Sequence, residues 1–294
     1  MSHSPTADAN PSSSTSSSLP DSIRQELDTP FEPTPQQIEQ FRVDGYLKLK
    51  DFFSPELLAF FDPLVTTTLE EHNPLKDVPL EERDTYKKAF IQVGNIWEHN
   101  DTVRLLSHSV RAASAATRLL GVSGVRMYHD QALYKEASGG FTPWHVDQYY
   151  WPLDTPHTVT IWIPFTAVPL DMGPLSFGKG SHLRHIARDI AISDESETLI
   201  NEAMKTHKIQ EVFEPYDLGE VSFHYGWTLH RAGGNTTNDA RRVLTVIYME
   251  ENAKKIDSDR DVHVADGQRW SPSTQPGEVM ADPLNPVLFS ESTA

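Results

Sequence analysis

From Val125 onward the chain is a succession of short apolar runs rich in β-branched and aromatic residues. They cover residues 125–135, 145–151, 158–165, 209–214, 220–225 and 241–249. Turn signals separate them at Gly139-Gly140, Gly173-Pro174 and Gly233-Gly234-Asn235. Runs this short and this regularly punctuated bury their apolar faces only by sheet-on-sheet packing or closure. The expected fold class is therefore mainly β, a barrel or jelly roll with flanking helices.

The preceding third reads as helical. Thr34 is a good N-cap, Pro35 suits the first helical position, and Gln37 completes a capping box. That helix carries Ile38 and Phe41, with Val43 as a further apolar candidate, and stops at Gly45, followed by a short strand at 46–49. Ser54-Pro55-Glu56 opens a second helix, and a third is expected from Asp101 to about Leu120, ending at Gly121. An inserted helix is expected at 194–207, and the stretch after Asn252, with Pro272, Pro276, Pro283 and Pro286, reads as loop. Residues 1–33 are rich in Ser, Pro, Thr and Asp and read as a disordered tail, so deleting residues 1–30 is expected to leave melting temperature and activity nearly unchanged. Residues 34–294 then form a single domain: a helical part at 34–121, a β core at about 122–252 and a loop-rich extension at 253–294.

Composition removes several function classes. With 42 acidic against 25 basic residues the formal net charge is -17, which repels phosphate backbones and anionic lipid surfaces, so neither nucleic acid nor membrane is an expected partner. No apolar run approaches the length that spans a bilayer, and the N-terminus lacks the signature of a secretory signal, so the cytoplasm is the expected compartment. There is no cysteine, so disulfides, thiolate metal sites and cysteine nucleophiles are excluded.

Thirteen histidines leave another kind of metal site open. On a strand, residues two apart point to the same side, so His-x-Asp aims an imidazole and a carboxylate at one point. One more histidine from a distant strand completes a 2-His-1-carboxylate face, which leaves three octahedral positions open on a non-haem iron. Two His-x-Asp triplets occur. His99-Asn100-Asp101 sits where a helix starts, a place for an N-capping aspartate. His145-Val146-Asp147, in GFTPWHVDQYYW, follows a Gly-Gly turn and opens an aromatic, strand-like run, the better context for ligands. Candidates for the third ligand are His224 and His230 in GEVSFHYGWTLHRAGGN, and His182 and His185 in GSHLRH. His230 stands apart because Arg241 follows it by eleven residues, across a Gly-Gly-Asn turn that returns the chain alongside. A guanidinium there can grip the distal carboxylate of a dicarboxylate cosubstrate through two parallel hydrogen bonds. The adjacent Arg242 begins the same strand and leaves on the opposite face, and periodicity alone does not choose between them.

The spacing of His-x-Asp, a histidine 83 residues after Asp147 and an arginine eleven residues beyond it resembles the phytanoyl-CoA dioxygenase family of Fe(II)/2-oxoglutarate oxygenases. FRVDGYLKLKDFF is similar to that family's helix–strand opening, and MGPLSFGKGSH to its Gly-rich segment. The resemblance covers roughly residues 38–250. It implies a double-stranded β-helix, Fe(II) held by His145, Asp147 and His230, 2-oxoglutarate held by Arg241, and O2 as oxidant. It further implies that Gln131 and Trp162 line the cosubstrate pocket, with Gln92 as a further contact. The implied reaction is oxidation, most often hydroxylation, of a small organic substrate with release of succinate and CO2. Where family members often carry Ser two residues after the distal histidine, this chain has Ala232. Neighbouring aromatics Tyr149, Tyr150, Trp151 and Trp227 suggest a partly apolar substrate pocket. Asp147 argues against a halogenase of the same fold, which would carry Ala or Gly there, and a cupin-type His-x-His is absent. The alternative is a non-catalytic jelly-roll protein that binds a small molecule or a metal.

Overall fold

The computed structural model describes residues 19–291. The helical third holds α1 (Asp21–Asp28), α2 (Pro35–Asp44), β1 (Tyr46–Leu49), α3 (Pro55–Glu71), α4 (Thr85–Ala89), β2 (Ile91–Gly94), α5 (Asp101–Ser107) and α6 (Val110–Leu120). The β-rich part holds β3 (Gly124–Lys135), β4 (Thr142–His145), β5 (Thr158–Pro164), β6 (Leu175–Gly178), α7 (Asp194–Thr206), β7 (Glu211–Phe213), β8 (Val221–Tyr225), β9 (His230–Ala232) and β10 (Arg241–Glu250). Helix α8 (Asp261–Trp270) and β11 (Val287–Ser290) follow.

The strands form two antiparallel sheets. The larger has the order β1-β8-β5-β10-β3-β11, with β2 also paired to β3; the smaller has the order β4-β9-β6-β7. Non-sequential neighbours at all but β2–β3 and β6–β7 make this the expected jelly roll, a double-stranded β-helix. The two faces of the larger sheet do different work. On one, Leu244, Val246 and Tyr248 of β10 join Ile161, Ile163 and Phe223 against Phe41, Phe61, Val65 and Leu119 of the helices. On the other, Trp162 and Val243 meet Leu175, Phe177 and Ala232 of the smaller sheet. A strand buried on both faces reads as a continuous apolar run, which is why β5 and β10 stand out in the sequence.

Local signals act as expected in several places. Thr34 and Gln37 exchange capping-box hydrogen bonds, and Gly45 ends α2 in the left-handed region at φ 84°. Ser54 caps α3, and Gly121 ends α6 at φ 70°.

Five expectations need correction. The tail does not run to residue 33: residues 1–18 lie outside the described residues, but Asp21–Asp28 is a helix with Ile23 and Leu27 buried in the main core. The single helix over 101–120 is two, because Ser109 turns its hydroxyl onto the Ala112 N–H and starts α6 afresh. Asn100, not Asp101, caps α5, accepting from the N–H groups of Thr102 and Val103. The strand expected at 145–151 ends at His145, with a short 3-10 turn at Asp147–Tyr149, and the stretch after Asn252 contains α8 and β11.

The docking of α1 has a measurable consequence. Ile23 and Leu27 are four residues apart, hence on one helix face, and both are almost fully buried. Leu27→Ala should therefore lower stability to urea by about 2–5 kcal/mol. An unchanged urea midpoint would mean that α1 is not held on the core. Among the described residues no helix is long and apolar enough to cross a membrane.

Candidate metal centre

Residues His145, Asp147 and His230 form a group whose candidate ligand atoms all lie within 4.8 Å of one another. The sheet register brings them together. His145 and His230 are direct cross-strand partners of β4 and β9, with ring centroids 4.1 Å apart. Val146 stays extended (φ -124°, ψ 135°), so the two-residue alternation persists one step past the end of β4 and turns Asp147 to the same side.

Hydrogen bonds behind the group fix how each side chain faces. His145 Nδ1–H donates to the Pro143 carbonyl at 2.8 Å, and His230 Nδ1–H donates to the Thr228 carbonyl at 3.0 Å. A carbonyl only accepts, so both lone pairs sit on Nε2. Those Nε2 atoms lie 3.6 and 3.5 Å from Asp147 Oδ1. The other oxygen, Oδ2, is held from behind by Thr160 Oγ1 at 3.1 Å and His224 Nε2 at 3.4 Å. Thr160 and His224 are themselves register partners on β5 and β8. Outer hydrogen bonds of this kind orient metal ligands and set their tautomers.

Electrostatics suit a divalent cation. Burial holds both imidazoles down to about 4, His145 with help from His230, and Asp147 opposes in each case. Both are thus neutral near pH 7. Burial would raise the Asp147 carboxyl, but His230, the hydrogen bond from His224 and His145 together hold it well below the ordinary carboxylate range. Two neutral nitrogens and one ionised oxygen need no proton release to take a cation. The residues present fit iron: hard and borderline donors, three on one face.

The cavity around the group has a volume of about 460 Å³. Gln131, Trp162, Thr245, Arg241, Gln92 and Ala232 all line it. Thr245 pairs with Gln131 on one side and Trp162 on the other, so one row across the larger sheet forms this wall. Arg241 is fully enclosed and points inward, with its guanidinium 5.3 Å from the Trp162 ring centre. Its Nη1 donates to the Gly173 carbonyl, while its buried Nε has no hydrogen-bond partner among the described residues. Burial pulls the guanidinium down to about 10, still charged at neutral pH. Gly173 stands at φ 73° against the Gly233 backbone, an approach that leaves no room for a Cβ. Arg242 leaves on the other face and makes a double hydrogen bond to Asp62 of α3, at 2.8 and 2.9 Å. An amide chain orders the wall further: Tyr86 hydroxyl donates to Gln92, and Gln92 Nε2 donates to Gln131 Oε1.

The other sequence candidates lie elsewhere. His99 stacks on His72, and Asp101 pairs with Arg104 on the surface. His182 bonds the Arg42 carbonyl, and His185 is an exposed loop residue. Tyr150 and Trp151 line the cavity, whereas Tyr149 and Trp227 pack outside it, under Arg260 and Arg188. Residues the sequence did not single out also line it: Thr160, His129 and, from α8, Asp266, Arg269 and Trp270. The role of His224 was legible only as a rival ligand; it proves to be the carboxylate's support.

A double-stranded β-helix carrying two imidazoles and one carboxylate on a single open face defines the class, a mononuclear non-haem iron oxygenase. The sequence profile of the phytanoyl-CoA dioxygenase family matches residues 41–243, and the chain belongs to that family. It is an iron- and 2-oxoglutarate-dependent dioxygenase. It is 23% identical over 242 residues to a probable alpha-ketoglutarate-dependent hypophosphite dioxygenase of Stutzerimonas stutzeri, covering 74% of this chain and 79% of that one. In fold it is similar to the alpha ketoglutarate dependent carbocyclase SnoK from nogalamycin biosynthesis, with TM-score 0.71, 24% identity, and coverage of 89% of this chain and 100% of that one. It is also similar to the epimerase SnoN in complex with Fe3+, alpha ketoglutarate and nogalamycin RO, with TM-score 0.70, 23% identity, and coverage of 86% and 98%.

Proposed function

We propose that this chain hydroxylates a small, partly apolar organic molecule, with His145, Asp147 and His230 holding Fe(II) and with Arg241, Gln131 and Trp162 holding 2-oxoglutarate. The observation that carries this reading is the pairing of the His–Asp–His face with an enclosed, incompletely bonded guanidinium in one cavity. Iron at such a face supplies O2 activation coupled to decarboxylation of 2-oxoglutarate to succinate and CO2. The protein's own part is to bind, orient and keep water out.

Arg241 Nε–H and its remaining Nη protons suit a carboxylate's two oxygens. The Gln92 amide occupies Gln131 Oε1, which turns the Gln131 NH2 group toward the cavity as a donor. Ala232 offers no hydroxyl, but its cross-strand partner Thr142 lines the same cavity with a buried Oγ1 that has no hydrogen-bond partner among the described residues, and it can supply one. On the substrate side Tyr150, Trp151, Ile192, Ile247 and Trp270 give an apolar surface, which favours a substrate with a hydrocarbon or aromatic part. Residues from α1 to β11 act in this reading as a single oxygenase unit. The cytoplasm, which holds both ferrous iron and 2-oxoglutarate, suits its chemistry.

A library of small organic compounds, incubated with Fe(II), 2-oxoglutarate and isotopically labelled dioxygen, tests the reading. The expected result is succinate formation that needs iron and rises with particular compounds, together with a product carrying one labelled oxygen. A dehydrogenated or cyclised product without label would replace hydroxylation with another oxidation. No succinate under any condition would leave the non-catalytic binding protein.

A further inference from the structure

The cavity wall contains three guanidinium groups, from Arg231, Arg241 and Arg269. Arg231 is neutralised by Glu197 at 2.5 Å and Glu211 at 2.9 Å. Arg241 is assigned to the cosubstrate. Arg269 forms no ion pair among the described residues, in a chain whose carboxylates outnumber its cations 42 to 25. Asp266, three residues earlier on the same helix, has its carboxyl pushed up to about 7 by burial, which the Arg269 charge opposes, but its oxygens are bonded to other groups. Its Oδ2 accepts from the Tyr128 hydroxyl, and its Oδ1 accepts from Trp270 Nε1 at 3.0 Å.

The guanidinium is also held in place. Arg269 lies over the Trp270 ring at 4.3 Å, and that ring stacks on His129 at 4.1 Å and 15°. Trp270 packs with Ile247 and Met249, at the opposite end of β10 from Arg241. The two cations therefore flank the metal face, one enclosed and one exposed at the mouth. Helix α8, residues Asp261–Trp270, lies beyond the matched family segment 41–243.

We infer that the substrate is an organic oxyanion, a carboxylate or a phosphorus oxyacid, whose charged group is received by Arg269 while its apolar part lies along Trp270 and faces the metal. A planar guanidinium fork stacked on an indole matches both oxyanion types through two parallel hydrogen bonds. The inference rests on the oxygenase reading for the position of the metal, but its test does not depend on turnover.

Calorimetric titrations under anaerobic conditions, with Fe(II) and saturating 2-oxoglutarate present, use hexanoate, phenylacetate and phenylphosphonate as probes. Methyl hexanoate and methyl phenylacetate serve as uncharged counterparts. At least one anion should bind about tenfold or more tightly than its neutral counterpart or, for the phosphonate, than either ester. Arg269→Gln should erase that preference, and Arg269→Lys should retain part of it. Melting temperature and the visible Fe(II)–2-oxoglutarate absorption should match wild type in both variants. A phosphonate preferred over the carboxylates assigns the phosphorus class, and the reverse assigns the carboxylate class. No anion preference in the wild type, or a preference that survives Arg269→Gln, overturns the inference. Loss of the Fe(II)–2-oxoglutarate absorption in the wild type would instead overturn the oxygenase reading.

Discussion

Replacing Asp147 with alanine should lower Fe(II) affinity by more than about 100-fold and abolish turnover. The magnitude follows from what the carboxylate does. Altering a group that only orients a metal ligand typically costs about 10–100-fold in affinity, and Asp147 is itself a proposed ligand. Its removal takes away the one anionic donor of the face and also strands two partners. Thr160 Oγ1 and His224 Nε2 both direct their hydrogens at its Oδ2, and both residues are buried. Two neutral imidazoles would remain, with the stranded dipoles beside them. His145→Ala and His230→Ala should behave similarly. His99→Ala and Asp101→Ala provide the contrast, since those side chains stack on His72 and pair with Arg104 at the surface. Equilibrium dialysis of Fe(II) without oxygen reads the difference. Unchanged iron binding in Asp147→Ala, with loss in His99→Ala, would place the metal at the other triplet.

The second large effect separates two adjacent arginines. Arg241→Ala should raise the 2-oxoglutarate concentration needed for half-saturation by about 30-fold or more, from the loss of a buried charge-assisted pair on the order of 2–5 kcal/mol. Arg242→Ala should leave that value almost unchanged. Its guanidinium holds Asp62 on the helix-covered face of the larger sheet, so its loss should show in stability, by about 1–3 kcal/mol. Titrating 2-oxoglutarate and urea against both variants reads the two effects independently. A cosubstrate defect at Arg242 with none at Arg241 would invert the assignment of the strand's faces to cosubstrate and helix.

Much of this arrangement was legible in the sequence because it rests on local rules. The α2 capping box, Gly45 and Gly121 each act through hydrogen bonds or backbone angles set within a few residues. Strands β3, β5 and β10 are long and apolar enough to declare themselves. The His145–Asp147 pair survives the early end of β4 because extended geometry continues through Val146. The choice of Arg241 over Arg242 came from the family spacing, since both faces of that strand are apolar.

What escaped has identifiable physical causes. Strand β9 has three residues, too few to show a period, although it carries His230. Helix α1 reads DSIRQELD beside a serine run, so its only apolar signal was Ile23 and Leu27 four residues apart. Helix α8 buries His263, Gly267 and Trp270, a face with a single large apolar residue, so no hydrophobic stripe marks it. The support of Asp147 by His224 depends on a register between β5 and β8 that no local pattern encodes. The two missed helices matter unequally. Helix α1 adds stability, whereas α8 builds the substrate end of the cavity.

The most direct test of the central claim is optical. Fe(II) added without oxygen to the purified protein, followed by 2-oxoglutarate, should produce a weak visible charge-transfer band that saturates with one cosubstrate per chain. Asp147→Ala should show no band, and Arg241→Ala should reach the same band only at much higher 2-oxoglutarate. A folded wild-type protein that gives no band at saturating Fe(II) and 2-oxoglutarate would contradict the assignment of iron and cosubstrate to this cavity.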